Sequence, residues 1–214
     1  MSDMKVKICG LSTEDTMEAA LDAGADMVGL MFFPKSPRHV TLSQACRLAD
    51  MARGKAEIVA LTVNMDPDGL SRINELVKPD IFQLHGTEAP EACAAIKVMQ
   101  GTKVMKAVPV AEKADLEQAH YYDIVADWLL FDAKPPPGSE LPGGNGVSYD
   151  WTLLKDLDLQ KPFMLSGGLD ADNVREAIRQ SGVTAVDVSS GVEREKGVKD
   201  ADLIRAFVAA AKGV

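Results

Sequence analysis

The sequence lacks the apolar segments that direct proteins into or across membranes. No apolar run approaches the roughly 18 residues of a membrane span, and no long apolar stretch near the N-terminus resembles a secretory signal peptide. We therefore expect no membrane partner, and the cytoplasm is the simplest location for the chain.

Cysteine is scarce, with three residues among 214. Cys9, Cys46 and Cys93 form an odd, scattered set, which does not indicate a disulfide framework. Cys46 and Cys93 lie within helical patterns, which favours an inert packing role for both. Only Cys9 ends an apolar run directly before a glycine, where a strand would give way to a loop.

Positive charge is also in short supply. The formal net charge is −9 and the pI is about 4.8. Because no cluster of Lys and Arg interrupts the acidic sequence, we expect no nucleic-acid partner. The histidines His39, His85 and His120 lie far apart and lack the spacing of metal ligands, so we predict no catalytic metal.

The chain does contain a regular alternation of short apolar runs and amphipathic stretches. Apolar residues make up 46% of it, and no change of composition marks a linker, so residues 1–214 are predicted to form one domain. The predicted strands are Lys5–Cys9, Met27–Phe32, Ile58–Val63, Asp80–His85, Lys103–Val108, Trp128–Phe131, Pro162–Leu165 and Ala185–Val188. The predicted helices are Thr13–Ala23, Ser43–Arg53, Pro67–Val77, Ala89–Met99, Ala114–Tyr121, Asp150–Leu157, Ala171–Gln180 and Asp200–Ala211.

Strands that alternate with helices predict a parallel sheet, and eight such units predict a closed (β/α)8 TIM barrel of the α/β class. The alternative is an open doubly wound sheet, which is less favoured because no Gly-x-Gly-x-x-Gly motif follows the first strand. In a barrel, the C-terminal ends of the strands surround one mouth, where ligands bind. Residues at these ends are therefore the candidate functional residues.

Small residues follow the last two predicted strands, as Gly167-Gly168 and Ser189-Ser190-Gly191. Barrels often bind phosphate between these two loops, through backbone N–H groups at helix N-termini. The alternative is that both are ordinary turns. Their presence at both expected places favours a phosphate site.

Two aspartates occupy strand ends. Asp132 precedes the long Gly- and Pro-rich segment 133–148, which could cover a ligand, although a carboxylate there could instead cap a helix. Asp187 lies in an apolar strand between Val186 and Val188, where an unpaired charge is costly. It therefore needs a hydrogen-bond donor, from either a ligand or a neighbouring side chain.

Arg38 follows Pro34 and Pro37 on a stiffened loop, which favours a carboxylate-binding role over that of a solvated charge. Gln83 and His85 are two residues apart at the end of the fourth strand, so their side chains share a face. The same rule places Lys7 on the face of Cys9. Taken alone, the residues around Cys9 favour a buried small hydrophobe, and it is the rest of the chain that favours a functional thiol.

The order and spacing of these residues resemble those of the phosphoribosylanthranilate isomerase family, (β/α)8 enzymes of tryptophan biosynthesis. The resemblance covers essentially the whole chain. Its motifs are Lys7–Gly10, Gly24–Gly29, Phe33–Arg38, Gln83–Gly86, Leu130–Asp132, Gly143–Gly146, Tyr149–Trp151, Leu165–Leu169 and Val186–Glu193.

The resemblance implies an Amadori rearrangement of N-(5-phosphoribosyl)anthranilate, a small phosphorylated substrate, without a cofactor. Cys9 would be the general base and Asp132 the general acid, and Lys7 is expected to lower the pKa of the Cys9 thiol. Arg38 would hold the anthranilate carboxylate. The residues implied to line the remaining pocket are Gln83, His85 and Asp187. Those implied to hold the phosphate are Gly167, Gly168, Ser189, Ser190 and Gly191.

Two other functions remain open at this point. The related sugar-phosphate isomerase of histidine biosynthesis would require a carboxylate at the position of Cys9. A barrel that binds a phosphorylated ligand without catalysis would need no acid or base. The sequence leaves both a monomer and a homodimer possible.

Overall fold

The computed structural model describes residues 4–136, 138–139, 141–144 and 146–213. Within them, eight parallel strands pair in chain order and β8 closes the ring on β1, so the predicted (β/α)8 barrel is confirmed. The barrel strands are β1 (Lys5–Cys9), β2 (Met27–Met31), β3 (Glu57–Thr62), β4 (Ile81–Leu84), β5 (Lys103–Val110), β6 (Trp128–Ala133), β7 (Phe163–Leu165) and β8 (Ala185–Val188).

The barrel interior changes from apolar to polar along the strands. Alternate side chains point inward, and those near the N-terminal ends of the strands form a buried apolar cluster. Two residues further along, the inward positions of β4, β6 and β8 hold Gln83, Asp132 and Asp187. The members of the apolar cluster are Met27, Val59, Ile81, Met105, Ala107, Leu130, Met164 and Ala185.

The helices surround the barrel and bury their apolar faces against its outer side. Side chains of Thr13, Thr41, Asp66 and Asp200 cap helix N-termini by accepting backbone N–H groups, which explains why those helices begin where they do. None of the helices in the described ranges is both long and apolar enough to cross a bilayer. The helices are α1 (Glu14–Asp22), α2 (Leu42–Ala52), α3 (Pro67–Val77), α4 (Pro90–Gln100), α5 (Ala119–Asp123), α6 (Val174–Ser181) and α7 (Ala201–Lys212).

Two predicted helices are wrong. Ala114–Tyr121 is replaced by a 3-10 turn at Lys113–Leu116 followed by the five-residue α5. Asp150–Leu157 is reduced to the 3-10 turn Trp151–Leu154. In both places an Asp side chain accepts hydrogen bonds from backbone N–H groups where the short turn begins.

The connection from β8 to α7 was not predicted. A 3-10 turn at Ser190–Val192 leads into an antiparallel hairpin of β9 (Glu193–Glu195) and β10 (Val198–Lys199). This hairpin lies at the C-terminal end of the barrel, next to the mouth. It places two charged side chains, Glu193 and Lys199, in the interior of the protein.

Candidate active site

A cleft opens at the C-terminal ends of the barrel strands, where barrel proteins bind their ligands. Every predicted site residue except Gly191 contributes to its lining. The lining residues from that set are Cys9, Arg38, Gln83, His85, Asp132, Gly167, Gly168, Asp187, Ser189 and Ser190.

Cys9 lines the cleft at the end of β1, and its side chain is only 3% exposed. Below it, Lys7 is fully buried and its Nζ lies 2.7 Å from Asp187 Oδ1, while Ser166 Oγ donates to Asp187 Oδ2 at 3.0 Å. The donors that Asp187 requires are therefore protein groups. Lys7 and Asp187 form a neutral ion pair directly beneath the thiol.

The Lys7 ammonium does lower the pKa of the Cys9 thiol, as expected, but the net shift of this pKa is upward. Burial raises the pKa of the Cys9 thiol, and this effect outweighs the opposing influence of Lys7 and Lys199. Lys7 itself stays charged: burial disfavours its ammonium, but Asp187 and Cys9 hold its pKa above the ordinary value. The ammonium thus limits the rise of the Cys9 pKa without reversing it.

Asp132 lies across the mouth, near the end of β6, and it contacts the side chains predicted from β4. His85 Nε2 is 3.3 Å from Asp132 Oδ2, and Gln83 Nε2 is 2.9 Å from His85 Nδ1. Asp132 Oδ1 accepts the backbone N–H of Ala133 at 2.9 Å. The Gln83 amide donates to Nδ1, which leaves the His85 proton on Nε2, the nitrogen that faces Asp132 Oδ2.

Arg38 is buried, and its guanidinium forms a two-point ion pair that the sequence analysis missed. Arg38 Nε donates to Glu193 Oε1 at 2.6 Å and Nη2 donates to Glu193 Oε2 at 3.0 Å. Lys199 Nζ donates to the same carboxylate at 2.8 Å. The pKa of Glu193 is lowered to about 2, because hydrogen bonds from Arg38 and the charge of Lys199 outweigh the burial of its carboxylate.

The two loops predicted to bind phosphate approach each other closely. A Cβ on Gly168 would come within 2.9 Å of Val147 O, and a Cβ on Gly191 would overlap Leu169 O. Gly191 is therefore required for the contact between the loops. We expected it in the phosphate site, but it does not line the cleft. Gly167 and Gly168 have φ values of +94° and +66°, which residues other than glycine rarely adopt.

The long segment 133–148 lies over the mouth, and residues 137, 140 and 145 of it are outside the described part. Leu141 and Val147 line the cleft. A Cβ on Gly143 would collide with Asp132 Oδ2 and reach within 2.6 Å of His85 Nε2. Glycine at this position allows the backbone to pass directly above the candidate acid.

The remaining cysteines and histidines lie elsewhere. Cys93 is buried, and burial raises its pKa to about 11; Cys46 donates to Leu76 O from a helix surface. Among the described residues, no three His, Cys, Asp or Glu side chains lie close enough together to hold a metal ion.

Comparison with known proteins gives the family. The profile of N-(5'-phosphoribosyl)anthranilate (PRA) isomerase matches residues 6–210. The chain is 56% identical over 209 residues to an N-(5'-phosphoribosyl)anthranilate isomerase of Rhodopseudomonas palustris strain BisA53, covering 98% of this chain and 96% of that one.

Solved structures agree. The chain matches a phosphoribosylanthranilate isomerase of Thermotoga maritima with a TM-score of 0.88 and 37% identity, over 99% of this chain and all of that one. It also matches an isomerase in complex with reduced 1-(o-carboxyphenylamino)-1-deoxyribulose 5-phosphate, with a TM-score of 0.84 and 34% identity, over 99% and 100% of the two chains. With its barrel, its cleft and these relatives in agreement, the chain belongs to the N-(5'-phosphoribosyl)anthranilate isomerase family.

Proposed function

We propose that this chain catalyses the Amadori rearrangement of N-(5'-phosphoribosyl)anthranilate to 1-(2-carboxyphenylamino)-1-deoxyribulose 5-phosphate, a step of tryptophan biosynthesis. The observation that carries this proposal is the placement of Cys9 and Asp132, 123 positions apart along the chain (132 − 9 = 123), on the lining of one cleft. The relative crystallised with the reduced form of this product supports the choice of substrate.

The first step is the opening of the sugar ring. Asp132 donates a proton to the furanose oxygen, the bond between this oxygen and C1 breaks, and the anthranilate nitrogen supplies the electron pair that forms an iminium. The Ala133 N–H holds Asp132 Oδ1, and His85 Nε2 lies beside Oδ2, so the proton would be delivered from a defined position.

The second step is removal of the C2 hydrogen, which the iminium acidifies. Cys9 as thiolate accepts this proton, and the electron pair moves toward the nitrogen to give an enolamine. The enolamine then takes a proton at C1 while its C2 hydroxyl releases one, which gives the aminoketose. The substrate supplies its own electron sink, so this scheme uses no cofactor.

The two anionic ends of the substrate would be held by two different groups of residues in the cleft. Arg38 would bind the anthranilate carboxylate, since guanidinium and carboxylate have matching geometry. Gly167, Gly168, Ser189 and Ser190 would hold the phosphate. Gln83, His85 and Asp187 would line the space between the two ends, with Asp187 acting mainly through Lys7 and Ser166.

The proposal is tested by following the fluorescence of anthranilate-containing substrate as it is consumed. Cys9→Ala and Asp132→Ala should each lower kcat at least about 100-fold, which is typical of one lost acid–base group. Cys46→Ala, which removes a thiol far from the cleft, serves as the matched control. Complementation of a tryptophan auxotroph that lacks this step provides an independent measurement.

Three results would count against the proposal. Binding of the substrate without turnover would favour a non-catalytic barrel. Preferential turnover of the histidine-pathway aminoaldose would favour the related isomerase. Normal turnover by Cys9→Ala would remove the thiol from the mechanism.

A further inference from the structure

Glu193 and Lys199 form a buried charge cluster with Arg38 at the edge of the cleft. The three side chains are 4%, 1% and 2% exposed, respectively. Their formal charges sum to +1, while burial lowers the pKa of Lys199 below its usual value. A buried excess charge of this kind is costly unless an anion lies nearby.

Every acceptor position of the Glu193 carboxylate is occupied. Oε1 accepts from Arg38 Nε and from Lys199 Nζ, and Oε2 accepts from Arg38 Nη2 and from the backbone N–H of Gly197 at 3.0 Å. A carboxylate offers about four such positions. The carboxylate is therefore held from two sides, and it fixes the guanidinium plane of Arg38 by two parallel bonds.

These contacts also decide which part of Arg38 can meet a ligand. Nε and Nη2 are engaged by Glu193, and Nη2 also lies 3.4 Å from Gly144 O. Nη1 makes no hydrogen bond to any residue that the structure describes, and Arg38 lines the cleft. The Glu193 carboxylate thus leaves Nη1 as the guanidinium nitrogen for an incoming anion, beside Gly144, where a Cβ would lie 2.7 Å from Nη1.

Lys199 extends the cluster toward the phosphate loop. Its Nζ donates to Ser189 O at 2.8 Å and lies 3.2 Å from Ser189 Oγ, and the Ser189 hydroxyl donates to Cys9 O at 3.2 Å. One ammonium therefore connects the partner of Arg38 with the loop that follows β8. The hairpin of β9 and β10 carries both Glu193 and Lys199.

We propose that Glu193 and Lys199 are positioning residues, which hold Arg38 and the Ser189 loop at the separation that the carboxylate and phosphate ends of the substrate require. The inference rests on the proposed function. Glu193 acts on the carboxylate end through Arg38, and Lys199 acts on both ends because it contacts Glu193 and Ser189.

The test compares two ligands by calorimetric titration: reduced 1-(o-carboxyphenylamino)-1-deoxyribulose 5-phosphate and the matching anilino compound without the carboxylate. Glu193→Gln should lower the affinity for the carboxylated ligand by about 10- to 100-fold, the range for lost hydrogen bonds to a charged group. The affinity for the anilino compound should change by no more than about threefold. Lys199→Met should lower the affinity for both ligands and also for ribulose 5-phosphate.

The matched controls are Glu195→Gln and Lys196→Met, which change exposed charges on the same hairpin and should leave all affinities unchanged. Should Glu193→Gln fail to fold, Glu193→Asp keeps the negative charge but withdraws the carboxylate from Arg38 by one methylene. It should show the same selective loss for the carboxylated ligand.

An equal loss for both ligands in Glu193→Gln, or no loss for either, would overturn the inference, because a general structural role does not distinguish the two. Wild-type protein that binds neither ligand would overturn the proposed function and, with it, the premise of this inference. If the wild type binds both ligands but Glu193→Gln does not distinguish between them, only the inference is overturned and the proposed function stands.

Discussion

At the scale of single residues, the reactivity of Cys9 depends on two opposing effects. Burial raises the pKa of its thiol, whereas the Lys7 ammonium, held in place by Asp187, lowers it. Burial dominates, so at neutral pH the free enzyme holds mainly the thiol. Proton removal by Cys9 should then become faster as the pH rises and the thiolate fraction grows.

Replacing Lys7 should raise the pKa of the Cys9 thiol further. Lys7→Met removes the cation and leaves the Asp187 carboxylate unpaired near the thiol, and both changes favour the neutral form of Cys9. We expect the rise in kcat/KM with pH to move to higher pH, because losing a close opposite charge raises the pKa of the thiol. The measurement is a pH profile of kcat/KM with Lys5→Met as control.

Lys5 is a suitable control because it lies on the same strand and face as Lys7 but further from the cleft. If the profile of Lys7→Met coincides with that of the wild type, the ammonium has no electrostatic influence on the base. Its role would then be limited to pairing with Asp187.

At the scale of elements, the segment 133–148 determines how closely the backbone covers Asp132, the proposed acid. Its Gly143 lies where any side chain would contact Asp132 and His85. The backbone at Gly143 is not in the left-handed region, so alanine is conformationally allowed there. Space alone therefore requires glycine at this position.

Gly143→Ala should lower kcat/KM by at least about 10-fold, because a displacement of catalytic groups by about 1 Å can cost 100-fold in rate. Ser139→Ala, an exposed change in the same segment, should have no effect. Steady-state kinetics on both variants provide the comparison. Unchanged kinetics for Gly143→Ala would show that the segment moves away from Asp132 at little cost.

At the scale of the whole molecule, the Arg38–Glu193–Lys199 cluster links parts of the chain that are distant in sequence. Arg38 follows β2, whereas Glu193 and Lys199 follow β8, so the cluster forms only when the barrel is closed. Removing one member of such a buried cluster typically lowers the free energy of unfolding by about 3–5 kcal/mol.

The contribution of Glu193 to the free energy of unfolding should vary with pH in the acid range. Its pKa is lowered from 4.5 to about 2 on folding, so its stabilising effect is complete above pH 4.5 and is lost as the pH falls toward about 2. The difference in free energy of unfolding between wild type and Glu193→Gln should therefore shrink across this window. Urea unfolding at several pH values measures it.

Glu195→Gln serves as the reference for this titration because Glu195 is exposed on the same hairpin. If the difference in unfolding free energy between wild type and Glu193→Gln stays constant from neutral pH down through this window, the assigned pKa is contradicted. Such a result would indicate that the loss in Glu193→Gln comes from packing alone.

Much of the site could be predicted because successive side chains of a strand point strictly to alternate faces. The spacing of Gln83 and His85, and of Lys7 and Cys9, places each pair on one face whatever their neighbours are. Glu193 could not be assigned in this way, although its position was part of the family motif. Its hairpin is too short to show a periodic pattern, and its partner Arg38 lies 155 positions away.

The sequence by itself determined the eight strands, their order and the end of the barrel at which Cys9, Asp132 and the glycine loops meet, because periodicity and turn residues act locally. Tertiary structure decided which charges pair and how deeply each is buried. Burial raises the pKa of Cys9 and the Glu193 carboxylate holds Arg38, and both effects depend on the closed ring of strands, which brings distant segments together and excludes water from between them.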